Sequence, residues 1–88
     1  MFVILYYDVN KKLCPKIHKI CKKYLQWVQN SVFEGEISEG NLAELTYLIE
    51  DKIKKYKNVS IIVYKFRSMN YIKREVIGID KKDDIDFI

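Results

Sequence analysis

The chain has 88 residues, 49% of them apolar or aromatic, and a formal net charge of +4. These values predict one small globular domain and exclude a disordered or fibrous chain. Because the core of so short a chain is small, we expect a second copy to contribute to stability. No basic leader precedes the first apolar run, no apolar stretch approaches the roughly 18 residues of a membrane span, and the two cysteines lack metal or disulfide spacing. We therefore expect a cytoplasmic protein with reduced thiols and no membrane partner.

Charge is distributed unevenly along the chain. Residues 1–74 contain fourteen Lys or Arg and seven Asp or Glu, whereas residues 75–88 contain two and five. A basic body favours a polyanionic partner, and the acidic tail indicates a different contact.

The first half of the chain predicts a strand, a helix and a hairpin. Residues 1–7 form an apolar and aromatic run typical of a buried central strand. Residues 11–25 then show helical spacing, with Pro15 tolerated in the first turn and His18 on the exposed side. Residues 27–37 predict two short strands joined by a polar turn. The apolar stripe of the helix comprises Leu13, Ile17, Ile20, Cys21 and Tyr24.

The second half predicts a helix followed by two strands. Ser38 is a suitable N-cap for a second helix, and Lys52, Lys54 and Lys55 match the negative end of its dipole. Residues 59–66 predict a fourth strand, and residues 73–79 a further short one. The apolar stripe of the second helix comprises Leu42, Leu45, Ile49, Ile53 and Tyr56.

The resulting order is β, α, β, β, α, β with an additional C-terminal strand. Both helices on one face of an antiparallel sheet give an α+β, ferredoxin-like βαββαβ sandwich. We expect residues 1–88 to form this single domain.

Asp8 is unusual because it ends a buried strand with a carboxylate. It could simply start the turn into the helix together with Asn10, since both side chains readily bond nearby backbone amides. Alternatively, it could hold a divalent metal, because the sequence offers no nucleophile elbow, phosphate loop or paired cysteines. Mg²⁺ accepts one or two protein carboxylates, and a two-fold axis beside Asp8 would supply the second.

Lysines line one edge of the first helix. The segment 11–23 holds six lysines and no acid, so its like charges cost some helix stability that a polyanion would offset. Lysine contacts phosphate without reading bases, which predicts sequence-indifferent, salt-sensitive nucleic-acid binding. An ordinary solvated face is the alternative. The candidate residues are Lys11, Lys12, Lys16, Lys19 and Lys23.

Tyr6 and Tyr7 must point to opposite faces of the first strand. The tyrosine on the open face could stack on bases or contribute to a dimer interface, and the absence of an RRM-type aromatic signature favours the interface.

Five segments in their order and spacing carry a family resemblance: VILYYDV, VQNSVFEGEI, SIIVYKF, VIGID and the closing DIDFI. Together they resemble the CRISPR-associated endonuclease family Cas2, across essentially the whole chain. The resemblance implies a symmetric homodimer whose C-terminal strand and tail, about residues 73–88, dock on the partner chain or on an integrase.

The same resemblance implies a site and a role. Asp8 takes the metal position, with Mg²⁺ or another divalent cation such as Mn²⁺, and Tyr7, Ser31 and Phe33 take neighbouring positions of the catalytic site. The implied activity is metal-dependent hydrolysis of single-stranded RNA or double-stranded DNA, in spacer acquisition with the CRISPR integrase. A non-catalytic scaffold that holds DNA is the alternative, and a toxin-type ribonuclease of the related virulence-associated family is another.

Three departures from the family pattern bear on these expectations. Asn10 stands where many relatives carry a second acid, lysines replace early helix arginines, and Leu25 replaces a glycine. The first two weaken the case for strong nuclease activity, because a lysine cannot clamp a phosphate with two parallel bonds.

Overall fold

The computed structural model describes residues 1–83, which form a four-stranded antiparallel sheet with two helices. The strand order is β2-β3-β1-β4, and the sequence-based prediction of a ferredoxin-like α+β fold is confirmed. Two 3₁₀ turns, Met69–Tyr71 and Lys81–Asp83, follow the last strand. The main elements are β1 (Phe2–Asp8), α1 (Cys14–Lys22), β2 (Gln26–Gln29), β3 (Val32–Glu36), α2 (Glu39–Ile53) and β4 (Ser60–Phe66).

Both helices lie on one face of the sheet, and the core lies between the helices and that face. β1 is central and alternates strictly, so that Val3, Leu5 and Tyr7 point into the core. Tyr6 points to the opposite, open face: it is 44% exposed, whereas Tyr7 is 3% exposed. Both helices contribute most of their predicted stripes to the core, whereas Tyr24 and Ile53 are only half-buried. The buried stripe residues are Leu13, which precedes α1, and Ile17, Ile20, Cys21, Leu42, Leu45 and Ile49.

Local side-chain bonds fix the turn and helix starts. Asn10 accepts a backbone N–H bond from Leu13 through Oδ1 at 3.0 Å, which closes the turn before α1. Ser38 Oγ accepts the backbone N–H of Asn41 at 3.1 Å and caps α2, as predicted. The β2–β3 hairpin turns at Asn30, whose φ of 48° is tolerated by asparagine.

Three predicted details were wrong. α1 is shorter than residues 11–25, because the Asn10 turn uses residues 11–13 before the helix begins. Tyr56 lies beyond the end of α2 and is exposed instead of extending the apolar stripe. His18 is partly buried, with its ring centroid 5.0 Å from that of Phe33.

The predicted strand at residues 73–79 is also absent. The Arg74 guanidinium donates to both carboxylate oxygens of Asp80, at 2.9 and 3.3 Å. Six residues of extended strand would separate these two Cα atoms by about 20 Å, which exceeds the reach of a direct ion pair. The chain therefore folds back on itself, with Gly78 at a φ of 95° in the bend. The tail beyond this bend was also expected to dock on a partner, and its residues 84–88 lie outside the described part of the chain.

Glu34 anchors this C-terminal segment to the sheet. Its side chain lies on the open face of β3 and is buried, with 6% of the residue exposed. Arg74 Nε lies 3.1 Å and Lys82 Nζ 2.7 Å from Glu34 Oε2. Because a buried carboxylate without partners is costly, both cations are needed to hold Glu34 in this position.

We predict that replacing both cations, Arg74→Ala with Lys82→Ala, lowers the free energy of unfolding by about 3 kcal/mol, because Glu34 loses both charge partners in a buried position. In a background carrying Glu34→Gln the same pair of changes should cost less than about 1 kcal/mol, since the two ion pairs with Glu34 are already gone and only the solvent-accessible Arg74–Asp80 pair remains to be lost. Urea denaturation of the four proteins measures both values. An equal cost in the two backgrounds would contradict the role assigned to Glu34.

Candidate functional site

Asp8 is the last residue of β1, and its side chain lies on the open face. The alternation of the strand places it on the same side as Tyr6, opposite the helices. Asp8 is exposed and pairs in register with Ser60 of β4. Across residues 1–83, no hydrogen bond or ion pair engages its carboxylate. The carboxylate is therefore available to a ligand.

Asn10, and not Asp8, makes the turn after β1. Its Oδ1 accepts from Leu13, and its backbone oxygen accepts from the N–H groups of Leu13 and Cys14, each at 3.1 Å. The structural explanation that the sequence offered for Asp8, namely that it starts this turn, therefore applies to Asn10 instead. This leaves Asp8 without a local structural task.

Two further loops lie at the end of the sheet where β1 finishes, which we call the Asp8 end. The β2–β3 turn is one of them, because the backbone N–H of Tyr7 donates to Ser31 O at 3.1 Å. The α2–β4 loop, residues 54–59, is the other, because Ser60 pairs with Asp8. The structure therefore brings Ser31 and Asp8 to the same end of the sheet.

Tyr7 and Phe33 lie on the other side of the sheet from the Asp8 carboxylate. Both are buried beneath the helices, and their rings stack with centroids 6.3 Å apart. The Tyr7 hydroxyl lies 3.5 Å from His18 Nδ1 and 4.0 Å from the Cys14 sulfur. These two aromatic residues therefore support the end of β1 from behind.

Burial shifts the pKa values of Tyr7, His18 and Cys21 toward their neutral forms. Burial raises the pKa of the Tyr7 hydroxyl far above its ordinary value, with a smaller contribution from Cys14. Burial, and then the charge of Lys22, lowers the pKa of His18. Burial raises the pKa of the Cys21 thiol to about 12. Tyr7 and Cys21 consequently provide neither a phenolate nor a thiolate nucleophile, whereas Asp8 is an accessible carboxyl group at this end.

The five candidate lysines are all exposed, but they are not equally close to Asp8. Lys11 and Lys12 lie in the turn that follows β1, and Lys16 is in the first turns of α1. The nine residues of α1 rise about 13 Å away from this end, which carries Lys23 to the far end of the helix and leaves Lys19 between. Only the first three lysines therefore lie at the Asp8 end of the sheet.

The sequence-based prediction missed a second group of cations at the Asp8 end. Lys55 and Lys57 are exposed in the α2–β4 loop. The signal for them was the run KKYKN, in which an aromatic residue is surrounded by lysines, but Lys54 and Lys55 were assigned to the helix dipole and Lys57 was given no role. Lys57 lies beyond the last turn of α2, where the dipole no longer acts.

The donor set fits a hard divalent cation only in part. A single unpaired carboxylate is an acceptable ligand for Mg²⁺ or Mn²⁺, which retain water in their coordination shells. In the described residues, no three His, Cys, Asp or Glu side chains cluster closely enough to hold a metal. One chain thus offers Asp8 alone, and a second carboxylate would have to come from another copy.

The open face around Asp8 is apolar and uncovered. Tyr6 faces Ile62 in the β1–β4 register, and Ile4 faces Tyr64. Tyr64 is 57% exposed and Ile62 is also exposed. An exposed apolar sheet face of this kind marks an interaction surface.

Comparison with protein families gives one match, to the family described as CRISPR associated protein Cas2, over residues 1–74. Among individual proteins, the chain is 43% identical to the "CRISPR-associated endoribonuclease Cas2" of Thermotoga maritima over 84 residues, which cover 96% of this chain and 95% of that one. It is 41% identical to "CRISPR-associated endoribonuclease Cas2 2" of Archaeoglobus fulgidus over 81 residues, 92% of this chain and 87% of that one.

Solved structures agree with this result. One described as "Crystal structure of cas2" superposes with a TM-score of 0.83 at 41% identity, and covers 92% of this chain and 90% of that one. The Cas2 of Streptococcus pyogenes superposes with a TM-score of 0.74 at 29% identity, and covers 89% and 100% respectively. Since both the family match and the relatives span most of the sequence, the chain belongs to the Cas2 family of CRISPR-associated proteins.

Proposed function

We propose that this protein is a homodimeric, metal-dependent endonuclease of CRISPR adaptation, in which Asp8 from each copy holds one divalent cation. The observation that carries the proposal is the exposed, partnerless Asp8 carboxylate at the end of β1, whose turn is made by Asn10 instead. The relatives named above are described as endoribonucleases, which supports nuclease activity in this chain.

Each residue at the Asp8 end has a separate role in the proposed reaction. When bound, a Mg²⁺ or Mn²⁺ ion supplies a polarised water and neutralises charge on the phosphate. Asp8 holds the ion, and Lys11, Lys12 and Lys16 attract and orient the phosphate backbone. Ser31 lies at the same end and is available for a polar contact with the substrate. Tyr7 and Phe33 act as positioning residues, since their rings pack against each other on the helix-covered side and hold the end of β1, from which Asp8 projects to the open face.

The dimer would use the open sheet face. Tyr6, Ile62 and Tyr64 form its exposed apolar centre, and Asp8 lies at the end of the same face. Burying this face against a second copy stabilises the small core at roughly 25 cal/mol for each Å² of apolar surface removed from water. Two-fold symmetry would then place two Asp8 carboxylates near one axis, which completes the partial metal site.

A second candidate function is a non-catalytic scaffold that holds double-stranded DNA for the CRISPR integrase during spacer acquisition. The exposed lysines along the whole of α1 favour it, because Lys19 and Lys23 extend the basic surface beyond the reach of Asp8. In this role the acidic tail, residues 83–88, would contact the integrase. Phosphate binding by these lysines is common to both functions.

Replacing Asp8 separates the two functions. We expect Asp8→Asn to lower the rate of cleavage of labelled single-stranded RNA and duplex DNA in Mg²⁺ at least about 100-fold, because a direct metal ligand contributes several kcal/mol. Glu39→Gln is the control, since Glu39 is an exposed carboxylate at the start of α2, away from the Asp8 end. Cleavage that survives Asp8→Asn, or that persists in chelator, would contradict the enzymatic proposal.

Replacing three lysines of α1 and its preceding turn tests phosphate binding. For duplex DNA, the combined changes Lys12→Ala, Lys16→Ala and Lys19→Ala should flatten the plot of log K against log salt by roughly 0.9 for each phosphate that the protein no longer neutralises. Lys65→Ala is the control, because Lys65 is exposed near the opposite end of β4. A salt slope equal to that of the wild type would remove this surface from the binding site.

A charge placed in the open face tests the dimer. Tyr64→Glu should convert a dimer into a monomer in sedimentation equilibrium, because an unpaired carboxylate would be buried between the sheets. Tyr47→Glu provides the control: Tyr47 is a 68% exposed tyrosine on α2, away from this face. If the Tyr64→Glu protein remained dimeric, the interface would have to lie elsewhere.

A further inference from the structure

The loop between α2 and β4 presents an aromatic residue that the core does not use. Tyr56 is 36% exposed and lies outside the buried cluster, although its spacing matches the apolar stripe of α2. Its backbone N–H donates to Ile53 O at 2.9 Å, and Asn58 follows with a φ of 60°. These two features end the helix before Tyr56 and direct the loop toward β4.

Lysines flank this tyrosine on both sides. Lys54 is engaged by Asp51 in an ion pair of 3.0 Å, and Lys55 is close enough to contribute to the lowered pKa of Asp51. Lys57 makes no ion pair with any residue from 1 to 83. The loop thus exposes one aromatic ring between two cations.

Strand register places this loop next to Asp8. Ser60 pairs with Asp8, and Lys57 is three residues before Ser60. The Lys57 Cα atom therefore lies within about 11 Å of the Ser60 Cα atom, and Lys11 lies within the same distance of Asp8 on the other side. Asp8 is consequently flanked by two basic loops, of which only the α2–β4 loop carries an exposed tyrosine.

We propose that Lys55, Tyr56 and Lys57 form a binding element for single-stranded polynucleotide beside Asp8. The Tyr56 ring stacks on an unpaired base, and the two ammonium groups contact the phosphates on either side of that base. A base pair within a duplex does not offer its face to a side chain, so the tyrosine favours single strands over duplexes. The inference rests on the proposed nuclease function and assigns the contact with unpaired bases beside Asp8 to this loop.

Fluorescence anisotropy with the full-length protein tests this element. The probes are a labelled single-stranded oligonucleotide, in RNA and DNA forms, and a blunt duplex of the same sequence, each in chelator so that no cleavage occurs. We expect Tyr56→Ala to weaken single-strand binding roughly 5- to 150-fold, the range that stacking of one base supports, and to change duplex binding less than about twofold.

Two matched variants show whether the aromatic ring is responsible. Tyr56→Phe should bind single strands as the wild type does, because it keeps the ring. Tyr47→Ala should also leave binding unchanged, since Tyr47 is an exposed tyrosine on another surface. Lys55→Ala with Lys57→Ala should flatten the salt dependence of single-strand binding by roughly 0.7 for each phosphate that is no longer neutralised.

The results that overturn the inference are distinct from those that overturn the proposed function. Unchanged single-strand binding by Tyr56→Ala, equal weakening for duplex and single strand, or a wild-type protein that binds no single strand would each overturn the inference. These binding measurements need neither metal nor cleavage. Failure of the proposed function would appear instead as cleavage that survives Asp8→Asn.

Discussion

The pairing of β1 on both sides constrains the rest of this structure. Because β1 is bonded to β3 and β4, its alternation is fixed, and each residue has an assigned side of the sheet. A shift of one residue in this register would bury the Asp8 carboxylate beneath the helices and expose Tyr7. The penalty for burying a charge therefore helps to set the register that presents Asp8. In this chain, the position of the candidate site and the stability of the fold depend on the same ladder of hydrogen bonds.

The two faces of the sheet also carry titratable side chains in different environments. On the helix-covered face, burial keeps Tyr7, His18 and Cys21 neutral, so these residues pack rather than react. On the open face, the Asp8 side chain is exposed, and no hydrogen bond or ion pair with residues 1–83 occupies its carboxylate. In the proposed dimer, the second copy would supply the other half of this site.

Local sequence patterns predicted the order of the main elements, the Ser38 cap and most of the two helix stripes, because each depends on residues close together in the chain. The turn at Asn10 was harder to anticipate, since Asp8 and Asn10 carry similar side chains and only one makes the bond. The C-terminal segment was misread because its bend depends on Arg74, which pairs with Asp80 and with Glu34 forty residues earlier. Tyr56 was misread because helical spacing continued for three residues past the last helical one, Ile53.

The ion pairs of Glu34 have an evolutionary consequence. A buried carboxylate whose two cations come from a distant segment makes substitutions at these positions interdependent, so the order in which they arise matters. If Glu34 is replaced before the two cations, the cost is small, because Arg74 and Lys82 can both turn toward water. If both cations are replaced first, the buried Glu34 carboxylate is left without a charge partner. The family match ends at residue 74, so Lys82 lies beyond it. Descendants of this sequence should therefore vary at Lys82 more freely once position 34 has become neutral.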